Sequence, residues 1–161
     1  MSHVALCKLS VKSLDALEQA CEMLGLKLIR DKKTYSWFGS WVNDYHADDA
    51  AYLQGVDPKD YGKCEHCIVD PNNKNAYEIG VIKSPDGVGY KLIFDFYGSR
   101  GKAMSDKVGG HAATKLHQVY ACCNSAKDLQ RKGFSTKISQ NETTGIWQTI
   151  GLRKKQANLK R

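Results

Sequence analysis

The chain has 161 residues, enough for one domain with a substantial core, and its 42% hydrophobic and 25% charged residues are ordinary for a globular protein. No apolar run approaches the roughly 20 residues that span a bilayer, and Met1 leads directly into a strand-like pattern without the basic start and apolar stretch of a secretory signal. The net charge of +7 is mostly a tail effect: Arg153, Lys154, Lys155, Lys160 and Arg161 fall in the last nine residues, which leaves +2 for the rest. These features predict a cytoplasmic, non-membrane domain over residues 1–152 with a basic tail over 153–161. A nucleic-acid partner would be met by this tail, together with the Arg100, Lys102 and Lys107 loop, with the steep salt dependence of phosphate contacts.

Residues 3–11 alternate, with Ala5, Cys7, Leu9 and Val11 on one side, the period of a half-buried strand. Ser13 is placed to cap a helix in which Leu14, Leu17, Cys21 and Leu24 form one stripe, and Gly25 can end it. Residues 26–30 return as a strand. Residues 31–63 then break the regularity with Tyr35, Trp37, Phe38, Trp41, Tyr45, Tyr52 and Tyr61, beside acidic Asp44, Asp48 and Asp49. A connection this long is usually functional or packed by its own side chains.

Ile68 and Val69 read as a short strand. Residues 77–82 and 89–96 read as a hairpin around Ser84-Pro85-Asp86-Gly87. Residues 98–110 read as a glycine-punctuated loop carrying Arg100, Lys102 and Lys107. A second helix is predicted from about residue 111 to 132, with Ala112, Leu116, Val119, Tyr120, Cys123 and Ala126 on one face and Gly133 as its stop. Residues 135–140 and 146–152 form a last hairpin. The order implies an α+β fold: a mostly antiparallel sheet with two helices on one face, ferredoxin-like in broad plan, with a long aromatic loop insertion.

Five segments carry a resemblance: Met1-Ser2-His3, Tyr77-Glu78-Ile79-Gly80-Val81, Phe94-Asp95-Phe96-Tyr97-Gly98, Lys115-Leu116-His117-Gln118-Val119-Tyr120 and Lys132-Gly133-Phe134. In their order and spacing the chain resembles the DUF1257 group, which takes in the Ycf35 proteins of plastids and cyanobacteria and many bacteriophage-encoded relatives. Residues 41–46 and 62–66 look like the phage branch. The resemblance implies an α+β protein, phage-encoded, that associates with other proteins, AAA-type ATPases among them. Residues 141–145 depart from the acidic, glycine-containing turn of those relatives, and the basic tail gains nothing from the likeness.

Four constellations carry candidate chemistry. Trp37, Trp41 and Tyr45, at four-residue spacing beside Asp44, offer an aromatic face for a partner; the alternative is that these rings roof the sheet as a second small core. Cys64-Glu65-His66-Cys67 has the two-thiol spacing of half a zinc site, which His46 or Cys122-Cys123 would complete. The adjacent Cys122 and Cys123 diverge by about 100° on a helix, which makes a poor second half. A Cys64–His66 nucleophile and base needs both on one face, and no thioredoxin-like strand and helix context surrounds the CxxC. Arg100, Lys102 and Lys107, with His111 after Gly109-Gly110 at a helix start, are an anion-binding candidate. The sequence favours a non-catalytic binding or adaptor protein without cofactor. A nucleic-acid or nucleotide binder, and a zinc or thiol module at Cys64 and Cys67, are the alternatives.

Overall fold

A computed structural model describes residues 4–39 and 55–153 of the protein. Among them the strands are β1 (Ala5–Leu6), β2 (Lys27–Arg30), β3 (His66–Val69), β4 (Ile79–Lys83), β5 (Tyr90–Phe94), β6 (Phe134–Gln140) and β7 (Trp147–Arg153). The helices are α1 (Leu14–Met23), α2 (Gly98–Val108) and α3 (Thr114–Arg131), with a short 3-10 turn at Pro58–Asp60. Five strands form one sheet in the order β1-β5-β4-β3-β2, antiparallel at every pairing, and β6 and β7 form a separate ribbon.

The α+β class and the antiparallel sheet are as the sequence implies. Strands β1 and β2 run parallel at opposite edges, joined by α1 across the face. The arrangement is compatible with the split β-α-β of a ferredoxin-like plan, but three strands rather than one lie between them. Beyond Leu6, the long first strand inferred from alternation continues only as a Cys7 N–H bond to the Leu92 carbonyl and an isolated bridge from Val11 to Tyr90.

Helix α1 forms where its signals place it. The Ser13 hydroxyl accepts a hydrogen bond from the Ala16 N–H at 3.1 Å, and Ala16, Leu17, Ala20 and Cys21 are buried. It packs on α3 through Leu116, Val119, Tyr120 and Cys123. The Tyr120 hydroxyl accepts from the Lys12 and Ser13 N–H groups at 2.9 and 3.3 Å, which ties α3 to the start of α1. Helix α3 begins at Thr114, so Ala113 takes the buried place expected of Ala112, which is exposed.

Residues 98–108 are helix α2 rather than loop, a third helix where two were expected. Glycine and serine give this segment poor intrinsic helix propensity. Tertiary packing overrides it: Met104 and Val108, one turn apart, enter the main core with Gly101 and Ser105 beneath them. Gly101 is required there, since a Cβ would lie 2.2 Å from the Phe96 carbonyl carbon.

The sheet is buried on both faces. Ile68, Ile79, Val81, Leu92 and Phe94 point to the helix layer. Cys67 and Ile93 point the other way, into a second core with Val4, Leu6, Tyr35, Trp37, Tyr61 and Cys64. The ring of Tyr35 lies on Gly80 of β4, where an added Cβ would sit 2.5 Å from the ring and 2.8 Å from Ile93. Gly80→Val therefore overpacks the second core and should lower unfolding free energy by about 2–3 kcal/mol in urea titration; a loss under about 0.5 kcal/mol would show that the ring is not held there.

Candidate functional site

The described rings of the aromatic segment, Tyr35, Trp37 and Tyr61, face inward. Trp37 is 1% exposed and meets Tyr61 edge-on, with ring centroids 5.7 Å apart. Tyr35 and Tyr61 are buried beside it, so these rings cover the second face of the sheet. The outward-facing role expected for Trp37 is corrected: a sheet with two apolar faces needs a cover on each, and these side chains supply the second. Trp41, Asp44, Tyr45 and His46 lie outside the described residues, as do residues 154–161 of the basic tail.

The cations of the expected 98–110 loop are fixed on α2 and engaged by the protein itself. Arg100 lies over the Tyr77 ring, 4.8 Å from its centroid, and its Nε donates to the Asn75 carbonyl. Lys102 pairs with Asp106 one turn later at 2.7 Å. Lys107 pairs at 3.2 Å with Asp70, whose side chain is almost fully buried. His111 is exposed in the turn before α3 and sits 5.8 Å from the Phe96 ring. It borders a shallow cavity of about 210 Å3 with Asp95, Phe96, Tyr97 and Gly98. These four side chains do not converge as an anion cradle: three meet neighbours within the fold, and His111 lies outside the first turn of α3.

The CxxC segment is where the second core meets solvent. In an unbroken strand Cys64 and Cys67, three residues apart, would point to opposite faces. A β-bulge changes this. The Glu65 N–H bonds to the Val81 carbonyl at 2.8 Å, yet His66 is also the register partner of Val81. Two residues thus oppose one, and the extra residue turns Cys64 onto the face of Cys67. Both sulfurs enter the second core. His66 points to the helix side instead, where its Nδ1 accepts the Asp31 N–H at 3.0 Å and its ring meets Tyr90. The pairing of Cys64 with His66 as nucleophile and base is thereby excluded by the bulge.

Cys122 and Cys123 lie on α3, across the sheet from Cys64 and Cys67. Cys123 packs on Met23, its Sγ 3.8 Å from the methionine Sδ, so this pair cannot complete a metal site with the CxxC. Among the described residues no three His, Cys, Asp or Glu side chains are grouped to hold a metal ion.

Two residues not singled out by the sequence complete the environment. Lys32 Nζ meets both carboxylate oxygens of Glu78 at 2.7 Å and stands 3.8 Å from Cys67 Sγ. Glu78 Oε2 also accepts from the Ser36 N–H at 2.9 Å and from the Cys67 thiol at 3.5 Å. In its thiol form Cys64 donates to the Lys32 carbonyl at 3.1 Å. That carbonyl favours the protonated sulfur, as burial does. The neighbouring Cys67 thiol and the Lys32 ammonium outweigh them and hold Cys64 below the usual thiol pKa. The same contact with Cys64, then burial, then the Glu78 charge push Cys67 well above it. A pocket of about 320 Å3 opens beside Cys64, between Gly55, Val56 and Asp60 on one side and Ile82 and Pro85 on the other.

The remaining surface feature is the β6–β7 ribbon. Its inner face rests on α3, with Thr149 Oγ1 donating to the Cys122 carbonyl at 2.9 Å and Gly151 against Leu129. Its outer face presents Ile146, Ile150 and Leu152, which are 56%, 41% and 57% exposed. Comparison with known proteins returned no match to a family model, a curated protein or a solved structure.

Burial of Trp37 gives a direct test of the second core. Trp37→Ala should cost about 3–5 kcal/mol of stability, measured by chemical denaturation, because it empties a site that nothing else fills. A variant as stable as the parent would return Trp37 to the surface.

Proposed function

We propose that the chain is a small adaptor that acts by holding a protein partner, and that it docks through the outer face of the β6–β7 ribbon. The observation that carries this reading is the exposed apolar row of Ile146, Ile150 and Leu152 on a two-stranded ribbon whose edges are unpaired among the described residues. Side chains at alternate positions of β7 share that face, and Lys137, the register partner of Ile150, joins them. Neither strand contains an aspartate or glutamate, and Arg153 closes β7.

An apolar row with Lys137 beside it and the neutral Ser135, Ser139 and Gln148 around it fits a partner surface that is apolar at its centre and carries a carboxylate near the lysine. Free strand edges also admit an added strand of the partner, with main-chain hydrogen bonds supplying affinity. The resemblance to the DUF1257 group points the same way, toward association with other proteins and with AAA-type ATPases as the first partners to test. No helix among the described residues is long and apolar enough to cross a membrane; we place the protein in the cytoplasm, the host's if it is phage-encoded.

The test is site-specific photocrosslinking in the native host, with the probe at position 150 and a control probe at position 102 on α2. Position 150 should capture a distinct protein that position 102 does not. Adding Leu152→Glu should weaken that association at least about tenfold while circular dichroism and melting stay unchanged. Equal capture from both positions, or undiminished binding by the Leu152→Glu chain, would overturn the reading. So would capture at position 150 of only a second copy of this chain, which would make the ribbon a self-association surface.

A further inference from the structure

The CxxC lies on the opposite side of the sheet from the ribbon, and partner docking makes no use of it. We propose that Cys64 and Cys67 form a thiol–disulfide exchange pair, in which Cys64 attacks a small disulfide admitted by the adjoining pocket and Cys67 resolves the product. The pair is thus a redox site, stoichiometric in each round, and independent of the adaptor reading.

Three observations on geometry support this. The bulge at Glu65 brings two sulfurs that regular alternation would separate onto one face, into one cluster. Only Cys64 of the two borders the pocket, so the pair has an outer and an inner member. Behind the inner sulfur stand an ammonium and a carboxylate, Lys32 at 3.8 Å and Glu78 at 3.5 Å. A structural thiol needs none of this. A buried cysteine ordinarily behaves as a small hydrophobe among apolar neighbours, as Cys21 does on α1.

The chemistry balances as follows. The Cys64 thiolate attacks one sulfur of a disulfide R–S–S–R; a new S–S bond joins Cys64 to that sulfur, the substrate's own S–S bond breaks, and the departing RS− takes up the proton that Cys64 released. Glu78 then accepts the Cys67 proton, and the Cys67 thiolate attacks the Cys64 sulfur. The second RS− leaves and recovers that proton. The protein loses two hydrogens and two electrons to become the Cys64–Cys67 disulfide, and the disulfide substrate is reduced to two thiols. Lys32 stabilises the negative charge while it resides on either protein sulfur. The pocket's size and mixed lining, with Asp57, Asp60, Lys63 and Lys83 around apolar Val56 and Ile82, suit a low-molecular-weight, polar disulfide.

The probe is oxidised glutathione. The full chain is equilibrated with glutathione at graded oxidised-to-reduced ratios, quenched in acid and digested with trypsin, which releases residues 64–74 with both cysteines in one peptide. The wild-type peptide should lose two hydrogens as the ratio rises. Cys67→Ser should instead accumulate glutathione on Cys64, at least about tenfold more than wild type. Glu78→Gln should form the mixed disulfide at the parental rate but resolve it about tenfold more slowly, a split that loss of packing alone would not give. Iodoacetamide supplies an independent measurement on the unaltered protein: Cys64 should alkylate faster than the more exposed Cys122, and should keep reacting as pH falls below the range in which ordinary thiols lose their thiolate. Overturning results are a 64–74 peptide that stays fully reduced at every ratio, glutathione on Cys64 of the wild type at the level of Cys67→Ser, or Cys122 reacting first.

Discussion

The constraint on which this structure turns is that its central sheet is apolar on both sides. Strand β4 sends Ile79 and Val81 to one layer and receives Tyr35 on Gly80 at the other, and β5 divides Leu92 and Phe94 from Ile93 in the same manner. Helices α1 and α3 can cover only one side, because α1 is the crossover between the two edge strands. The other side must be covered by irregular chain, and the residues around Tyr35, Trp37 and Tyr61 do so. Large rings serve this purpose well, since each buries 150–250 Å2 with few rotatable bonds to order. The rings of Tyr35, Trp37 and Tyr61 thus serve the fold as the cover of this face.

Covering a sheet face with irregular chain has a chemical consequence. Such a cover needs its backbone polar groups satisfied, and several of these bonds run to side chains or strand ends near β3. Tyr35 donates to the Gly62 carbonyl, Cys64 N–H to the Lys33 carbonyl, and Ser36 N–H to Glu78. Glu78 is drawn partly inside by this work, and a carboxylate inside needs a cation, which Lys32 provides. The ion pair behind Cys67 therefore follows from how the cover is anchored, and its charges add to the shifts that mutual contact and burial give the two thiols. The perturbed pair marks a redox site only because the pocket and the bulge add access and proximity to it.

Local signals were legible where one element decides its own fate. Ser13, the α1 stripe, the Ser84–Gly87 turn and the final hairpin all sit within a residue or two of the positions that periodicity and turn chemistry assign. Helix α2 was not legible, because its glycines argue against a helix and its stability comes from Met104 and Val108 meeting a core built by distant segments. The bulge at Glu65 leaves no mark in the alternation of a four-residue strand, so the sequence could flag Cys64 and Cys67 as a pair but not place them on one face. Lys32 and Glu78 are 46 positions apart with nothing in their spacing to link them. The exposed ribbon was half visible: its hairpin was clear, but whether Ile150 and Leu152 faced α3 or solvent depended on which alternate set α3 would accept.

That choice of face is itself informative. Phe134, Thr136, Ile138, Trp147, Thr149 and Gly151 form the inner set, and the outer set contains Ile146, Ile150 and Leu152. The opposite assignment would bury Ile146, Ile150 and Leu152 but expose Phe134, Ile138 and Trp147, so burial of apolar side chains does not favour it. It is opposed by the inner set's fit to α3, where Gly151 admits Leu129 and two threonine hydroxyls find partners in Gln130 and the Cys122 carbonyl. A one-residue slip would break all three contacts and also bring Ile138 and Trp147 out into solvent. The aliphatic row is left in solvent because the larger apolar set faces α3, and with the thiol pair beneath the opposite sheet face, a partner that covered the row would leave Cys64 and its pocket untouched.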